Sequence, residues 1–312
     1  MRLVFMGTPD FAVPALEALI RGGHEVAAVV TQPDRPRGRG KAIIMSPVKQ
    51  KALEHGIAVL QPERIKKDEA FLKSLEEISP DAIVVAAFGQ ILPETILRLP
   101  RYGCINIHAS LLPKYRGAAP IQWAVINGEE FSGVTTMQMD AGLDTGDIME
   151  TKEVELRVKE TGGSLFEKLS EAGGELILST LRKVEDGSIT HTKQAQEESS
   201  YAGMLDKAMG RVDWSRGAEE IERLIRGLNP WPSAYTSYKG KTLKFWDADV
   251  VVQKEERTAE PGEIVSVEEE RFLVQTGNGL LAVYELQLEG KKRMLSDAFL
   301  RGYPMKEGEK LV

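Results

Sequence analysis

The chain has 312 residues, a formal net charge of -7, 42% hydrophobic residues and a single cysteine, Cys104. Its average apolar and charged fractions exclude a disordered or fibrous chain, and its length exceeds what one core usually supports, which predicts two domains. The lone cysteine, the four scattered histidines and the lack of a long apolar run predict a cytoplasmic, metal-free protein without a membrane segment.

The first half of the chain alternates short apolar runs with amphipathic helical patterns, as βαβ units do. Each predicted strand is apolar enough to be buried on both faces, which is typical of a parallel sheet. The predicted strands are 3–6, 25–31, 57–60, 82–86 and 104–107, and the predicted helices are 10–21, 46–55, 68–78 and 94–99. This order predicts an α/β fold with a doubly wound, mostly parallel Rossmann-like sheet.

The pattern continues beyond residue 119 and then changes character near residue 194. The predicted elements there are helix 119–126, strands 134–139 and 148–156, helix 165–184, helix 218–227, and strands 234–238, 242–252, 262–267, 272–276 and 280–288. Five short strands separated by turn residues predict a β-barrel of the oligonucleotide-binding (OB) type. We therefore expect a Rossmann-like catalytic domain over 1–193, a polar linker over 194–206 and a barrel domain over 207–312.

The opening loop Gly7-Thr8-Pro9-Asp10 lies where a dinucleotide-binding fold places its glycine fingerprint. Pro9 removes a backbone donor where the second glycine would let a pyrophosphate approach. This loop therefore disfavours nicotinamide or flavin binding.

The segment 104–117 carries the strongest chemical pattern. Side chains two apart on a strand share a face, so Asn106 and His108 are expected to project together while Ile105 and Ile107 pack on the opposite side. The carboxyl ends of parallel strands are where open α/β sheets bind ligands. A strand-end asparagine and a hydrogen-bonded, half-buried histidine with no catalytic role would give the same pattern.

Three carboxylates, Asp140, Asp144 and Asp147, follow a predicted strand within a glycine-rich loop. The loop lacks the ligand pattern of a calcium site. A carboxylate beside His108 would fix the tautomer of the imidazole and raise its basicity. Spacing alone does not choose among the three, and a solvated acidic turn would explain any one of them.

A basic run follows Asp34 and contains no acidic residue. Its members are Arg35, Arg37, Arg39, Lys41, Lys49 and Lys51. A solvated surface loop and a phosphate-binding arm both fit such a run, and the acidic net charge argues against non-specific nucleic-acid binding by the whole surface.

Several segments together resemble the methionyl-tRNA formyltransferases, within the 10-formyltetrahydrofolate-dependent formyltransferase family. The matching segments are 7–12 (GTPDFA), 31–36 (TQPDRP), 87–90 (AFGQ), 106–117 (NIHASLLPKYRG), 140–148 (DAGLDTGDI) and 229–234 (NPWPSA). They span the whole chain in order. The central segment is common to the folate-dependent class, whereas the opening segment, the basic run and the C-terminal part point to the tRNA enzymes.

The resemblance implies transfer of a formyl group from N10 of 10-formyltetrahydrofolate, the co-substrate, to the α-amine of methionine on initiator tRNA, for translation initiation. It implies a monomer that needs no metal, no obligate protein partner and no covalent enzyme intermediate, so Cys104 is expected to be dispensable. By position in the family, Asn106 stabilises the oxyanion, His108 moves protons and Asp144 holds His108. The implied folate-binding residues are Phe88, Gln90, Ile91, Leu92, Ser110, Leu111, Leu112 and Pro113, and the implied tRNA-binding residues are Arg35, Arg37, Arg39 and Lys41.

Two other functions fit part of the sequence. An enzyme of the same folate class that formylates a nucleotide-sugar amine, or hydrolyses the formyl group, would use the same three residues but needs no arginine-rich arm. A glycinamide ribonucleotide enzyme fits poorly because it has a single domain. A catalytically silent nucleic-acid-binding protein would use the barrel and the basic run, but it gives no reason for Asn106, His108 and Asp144 to occur together.

Overall fold

A computed structural model describes residues 1–37, 42–251 and 259–312 of the chain. The chain divides into two compact units. The first unit comprises Met1–Pro120, Phe131–Glu155 and Phe166–Ala202, and the second comprises Ile121–Glu130, Leu156–Leu165 and Gly203–Val312.

The secondary structure up to residue 202 alternates strands with helices. The strands are β1 (Arg2–Gly7), β2 (Glu25–Val30), β3 (Arg35–Arg37), β4 (Ala42–Ile44), β5 (Ala58–Leu60), β6 (Ala82–Ala86), β7 (Cys104–His108), β8 (Arg116–Gly117), β9 (Phe131–Gln138), β10 (Ile148–Glu155) and β11 (Tyr201–Ala202). The helices are α1 (Val13–Arg21), α2 (Pro47–Glu54), α3 (Glu69–Ile78), α4 (Glu94–Leu97), α5 (Pro120–Ile126) and α6 (Gly162–Asp186).

A seven-stranded sheet, counted over the described residues, forms the centre of the first unit, in the order β10-β9-β7-β6-β1-β2-β5. The pairs from β7 through β6, β1 and β2 to β5 are all parallel. Strands β9 and β10 run antiparallel at one edge. The parallel part has the Rossmann order, with its topological switch point between β1 and β6. The predicted doubly wound, mostly parallel sheet is confirmed.

Capping residues in the sequence define where the helices around this sheet begin. The side chain of Ser46 caps α2 by accepting a hydrogen bond from the Lys49 backbone N–H, and Asp68 caps α3 in the same way. Helix α6 covers one face of the sheet. A Cβ at Gly173 would lie 2.9 Å from Ile107 on β7, so glycine allows this close approach.

Two short strand pairs of the first unit lie outside the sequence prediction. Strands β3 and β4 pair antiparallel as a hairpin, and β8 pairs in parallel with β11, 85 residues further along the chain, Tyr201 opposite Arg116. The strands of both pairs are only two or three residues long and show no hydrophobic period, so the sequence indicated only loops there.

The second unit contains an antiparallel, barrel-like sheet, as predicted for the OB-type domain. Its elements are α7 (Ala218–Gly227), β12 (Ala234–Tyr238), β13 (Lys241–Val251), β14 (Ile264–Val267), β15 (Phe272–Gln275), β16 (Leu280–Leu288), β17 (Met294–Leu295) and α8 (Ser296–Gly302). The path β12-β13-β16-β15-β14 contains the five predicted strands, and β17 joins β16. Strand β17 and helix α8 were not predicted. Buried side chains including Phe245, Phe272 and Phe299 form the core.

Candidate active site

Asn106 and His108 share one face of β7. The neighbours of β7 are β6 on one side and β9 on the other, with Asn106 opposite Met137 and His108 opposite Thr135. Both side chains are almost buried, at 9% and 6% exposure. The alternation predicted from the sequence therefore brings the carboxamide and the imidazole together at the carboxyl end of a parallel strand.

The hydrogen bond of His108 defines its tautomer. Its Nε2 lies 2.9 Å from the carbonyl oxygen of Tyr115, and a carbonyl only accepts, so Nε2 carries the proton in the neutral ring. The other nitrogen, Nδ1, is then the basic one. It faces the Asp144 Oδ2 at 3.7 Å, which is too long for a direct hydrogen bond.

Asp144 lies in the loop 139–147 between β9 and β10. Its Oδ2 accepts a hydrogen bond of 2.8 Å from the Gly117 backbone N–H, and its backbone is in the left-handed region at φ 53°. Asp140, in contrast, uses its carboxylate within the loop, on the Gly142 N–H and the Thr145 hydroxyl. Of the three candidate carboxylates, the structure brings Asp144 to His108.

The carboxamide of Asn106 makes no side-chain hydrogen bond to any residue of the described chain. Although the residue is only 9% exposed, its amide atoms are not sealed from solvent. Its two N–H groups are therefore available to a substrate oxygen that reaches this face of β7.

The structure adds a polar network that sequence reasoning missed. Arg116, which is 7% exposed, donates from Nε and Nη2 to Gln194 and from Nη1 to Gln196. Gln194 in turn donates to the backbone carbonyls of Asp144 and Gly146. We call residues 194–202 the strap, because this segment binds back onto the loops of the site. In the sequence, its polar and aperiodic character indicated a linker.

The predicted folate-binding segment Ser110–Pro113 follows directly after β7. Ser110 is buried, and its hydroxyl donates to the Lys114 carbonyl at 2.7 Å. The hydroxyl of Thr135 on β9 ties the segment down, since it donates to the Ser110 carbonyl and accepts from the Leu112 N–H. Leu112 is 6% exposed, Leu111 and Pro113 are half-buried, and the Leu112–Pro113 peptide is cis.

The second predicted folate-binding segment, 88–92, leaves the sheet at the carboxyl end of β6, beside the exit of β7. Phe88 and Leu92 are buried in an apolar cluster with Cys104, whereas Ile91 is 63% exposed. The Gln90 side chain accepts from the Ile65 N–H and donates to the Pro62 carbonyl. No hydrogen bond within the described chain uses the backbone N–H groups of residues 88–92.

The predicted tRNA-binding residues belong to the β3–β4 hairpin and its connection. Arg35 is exposed on β3. Arg37 lies on the same strand, with no described side chain, and Arg39 and Lys41 lie outside the described residues. On β4, Ile44 lies opposite Arg35 and is 42% exposed, and its neighbour Ile43 is 72% exposed. The exposed part of this hairpin is thus both basic and apolar.

Two lysines of the basic run are already paired within the chain. Lys49 bonds the carboxylate of Asp34 at 2.5 Å and the Gln61 oxygen at 2.8 Å. The hydrogen bond from Lys49, and a second from Gln61, lower the pKa of Asp34. Lys51 lies 2.9 Å from Glu17 and 2.7 Å from Glu54. Lys49 therefore holds the start of the hairpin through Asp34, and Lys51 links α1 to α2. Neither lysine extends the basic surface.

The single cysteine is not placed for chemistry. Cys104 is fully buried, and its Sγ lies 3.6 Å from the Ile96 carbonyl. Desolvation raises the pKa of the thiol to about 12. A thiol that stays protonated is a poor nucleophile.

The described ranges 1–37, 42–251 and 259–312 also contain no cluster of three or more His, Cys, Asp or Glu residues gathered as metal ligands would be. Among the helices of those same ranges, none combines the length and apolar character needed to traverse a bilayer.

Family comparisons agree with this geometry. The family model described as formyl transferase matches residues 1–181, and the model described as formyl transferase, C-terminal domain, matches residues 204–304. The crystal structure of the N-formyltransferase from Helicobacter canadensis in complex with folinic acid and dTDP-3-aminofucose has a TM-score of 0.68 to this chain at 19% identity, and the match covers 94% of this chain and 99% of that one. That likeness shows the fold, and together these matches define the class as a formyl transferase.

Relatives of higher sequence identity identify the family within this class. A methionyl-tRNA formyltransferase of Lachnospira eligens is 59% identical over 99% of this chain and 98% of its own length. One of Agathobacter rectalis is 56% identical, again over 99% of this chain and 98% of its own length. The chain therefore belongs to the methionyl-tRNA formyltransferase family, which confirms the resemblance seen in the sequence.

Proposed function

We propose that Asn106, His108 and Asp144 carry out the transfer of a formyl group from 10-formyltetrahydrofolate to the α-amine of methionyl initiator tRNA. The observation that carries these roles is the arrangement at β7. An unpaired carboxamide and an imidazole share one strand face, and the basic nitrogen of the imidazole lies 3.7 Å from a carboxylate. The reaction needs a hydrogen-bond donor for an oxygen that gains charge and a base for an amine that loses a proton.

Asn106 supplies the donor. When the methionine amine bonds to the formyl carbon, negative charge builds on the formyl oxygen. The free N–H groups of Asn106 stabilise that charge without first breaking an internal hydrogen bond, because none holds them in the described chain. A donor fixed in a nearly buried position is more effective than water, which must reorient.

His108 moves the proton. Its Nε2–H stays bonded to the Tyr115 carbonyl, so Nδ1 accepts the proton that the attacking amine loses. The ring is then positively charged, and Asp144 at 3.7 Å stabilises it. Nδ1 returns the proton to N10 of the folate as the bond from N10 to the formyl carbon breaks. Asp144 thus acts on the protonated imidazole rather than through a standing hydrogen bond to the neutral one.

The two segments that follow β6 and β7 are suited to hold the folate co-substrate. Residues 88–92 offer backbone N–H groups with no internal partner, and a pterin ring has polar edges that such groups recognise. The partly exposed Leu111 and the exposed Ile91 supply apolar surface for the flat ring. Phe88 and Leu92 support this segment from the core. We assign the same role to Gln90, Ser110, Leu112 and Pro113 as parts of these segments.

The tRNA is proposed to contact the hairpin and its connection through Arg35, Arg37, Arg39 and Lys41. Arginine side chains pair with phosphates and base edges of the acceptor stem. The barrel, residues 207–312, is proposed to bind the flank of the tRNA. On its surface, Arg293 lies 4.8 Å and Lys244 6.0 Å from the ring centre of Trp246, which supplies a basic and aromatic patch. We further propose that the chain acts as a monomer in the cytoplasm, without an obligate protein partner.

An acceptor assay tests the proposal. The full chain is incubated with 10-formyltetrahydrofolate labelled in the formyl group and with methionyl initiator tRNA, and the label is then located. The expected product carries the label on the methionine amine. A parallel reaction offers dTDP-3-aminofucose as the acceptor. Label on the amino sugar but not on the tRNA would contradict the proposed acceptor, and label released as formate alone would indicate a hydrolase.

A further inference from the structure

In the sequence, Arg116 lies between the two residues whose backbone groups bond His108 and Asp144. The carbonyl before it, on Tyr115, accepts from His108, and the N–H after it, on Gly117, donates to Asp144. The Arg116 side chain is itself 7% exposed. No carboxylate of the described residues pairs with this guanidinium. A buried positive charge without a carboxylate needs hydrogen bonds to neutral groups.

Gln194 on the strap accepts two of those bonds, Gln196 accepts a third, and Gln194 uses its whole side chain. Its Oε1 accepts from Arg116 Nε at 3.0 Å and from Nη2 at 2.8 Å. Its Nε2 donates to the Asp144 carbonyl at 2.9 Å and to the Gly146 carbonyl at 2.7 Å. A carboxamide has two acceptor sites and two N–H groups, so every one is occupied. Because a guanidinium only donates and carbonyls only accept, the amide has one orientation.

The Gly117 N–H holds the Asp144 carboxylate, and Gln194 holds the backbone of the same loop. Asp144 adopts a left-handed backbone conformation, which aspartate tolerates better than most residues but less well than glycine, and its neighbour Leu143 is 54% exposed. The contacts of Asp140 with Gly142 and Thr145 stay inside the loop and do not fix its position on the sheet.

We propose that Gln194, oriented by Arg116, is a positioning residue that holds the 144–146 backbone so that the Asp144 carboxylate faces Nδ1 of His108. This inference rests on the proposed roles of His108 and Asp144. A carboxylate displaced by about 1 Å stabilises the protonated imidazole less well, and displacements of that size cost up to about 100-fold in turnover. Gln194 is not among the residues proposed to bind the folate or the tRNA, so its loss is expected to act on kcat rather than on substrate binding.

Three single variants of the full chain separate positioning from stability. Gln194→Ala removes both sets of bonds. Gln194→Glu keeps two acceptors for Arg116 but replaces the donors to the loop with an oxygen. Gln196→Ala is the matched control, because Gln196 binds the same guanidinium at 2.8 Å and its side chain makes no bond to the loop.

We expect both Gln194 variants to lower kcat about 10- to 100-fold, with KM for folate and for methionyl-tRNA within about twofold of wild type. Gln194→Glu is expected to keep the melting temperature of the wild type, and Gln196→Ala to keep its kcat within about twofold. A wild-type kcat in Gln194→Glu would overturn the proposal. A kcat loss of equal size in Gln196→Ala would also overturn it, since the loop contact would then not be the cause.

A double-mutant cycle with Asp144→Ala completes the test. If Gln194 acts through Asp144, adding Gln194→Ala to Asp144→Ala lowers kcat no further. Full additivity of the two losses would overturn the positioning role and leave the role of Asp144 intact. A wild-type kcat in Asp144→Ala alone would instead refute the proposed role of Asp144, and with it the target of the positioning.

Discussion

Replacing Asn106 with alanine tests the proposed chemistry most directly, because the structure separates its catalytic from its structural contribution. The side chain makes no hydrogen bond in the described chain, so its removal leaves no internal partner unsatisfied. We therefore expect the free energy of unfolding to change by less than about 1 kcal/mol. Loss of an oxyanion donor in a nearly buried site costs about 100- to 1,000-fold in kcat, or about 3–4 kcal/mol of transition-state stabilisation.

Steady-state formylation of methionyl-tRNA, measured beside urea denaturation of the same preparation, checks both halves of this prediction. The KM values are expected to stay near those of the wild type, because the amide acts on charge that develops only in the transition state. A kcat within about threefold of wild type would refute the oxyanion role. A loss confined to KM would show that Asn106 binds the substrate in its ground state instead.

Cys104→Ala is the matched control on the same strand face, two residues before Asn106. Its buried Sγ packs in the apolar cluster behind the site, so we expect a stability loss of about 1 kcal/mol with an unchanged kcat. We therefore expect opposite outcomes: Asn106→Ala loses activity but keeps its stability, and Cys104→Ala loses stability but keeps its activity. If both variants lost activity in proportion to stability, the whole strand would be a structural unit and the assignment of Asn106 would fail.

Three further measurements test other parts of the molecule. Because burial raises the pKa of Cys104 to about 12, the native thiol should resist iodoacetamide and react only in denaturant, and rapid labelling of the folded, active enzyme would contradict its burial. Lys49 lowers the pKa of Asp34, so the stability from this pair is present above the ordinary carboxylate pKa and is lost as pH falls through the lowered pKa. Urea denaturation should therefore show that Lys49→Met lowers the free energy of unfolding more at about pH 7 than at about pH 3. An equal loss at the two pH values would argue against the pairing. Raising salt from about 50 to 200 mM should increase the KM for methionyl-tRNA about tenfold or more, with a weaker rise in Arg35→Ala and little change for folate; a flat response would count against phosphate pairing by the hairpin.

The sequence predicted the central sheet because the burial of each strand shows in the strand's own residues. A strand buried on both faces is apolar along most of its length; β6 shows that pattern throughout, and β7 departs from it only at Asn106 and His108. Alternation along β7 also predicted that Asn106 and His108 share a face. Which of the three loop carboxylates meets His108 did not follow from spacing, because the 139–147 loop returns over the sheet by tertiary contacts.

The contacts of the strap could not be predicted from the sequence, because they are not local. Its residues are held by side-chain hydrogen bonds to groups far away in the sequence, such as Gln194 to Arg116, 78 positions apart. Such bonds leave no hydrophobic period, and a polar stretch without a period is the usual mark of a linker. Helix α8 and the hairpin of β3 and β4 were missed because they are too short to show a repeat.

The distance along the chain between Asp144 and the strap has a consequence for biosynthesis and for protein engineering. A nascent polypeptide that has emerged only as far as residue 190 already contains Asn106, His108 and Asp144, yet it lacks the glutamine that grips the 144–146 carbonyls. Such an incomplete product is expected to be much less active than the finished chain, and full formyl transfer activity requires the strap to have been synthesised. A minimal fragment made to study the Rossmann-like half alone must therefore extend through Ala202, whose carbonyl also anchors the backbone after Gly117.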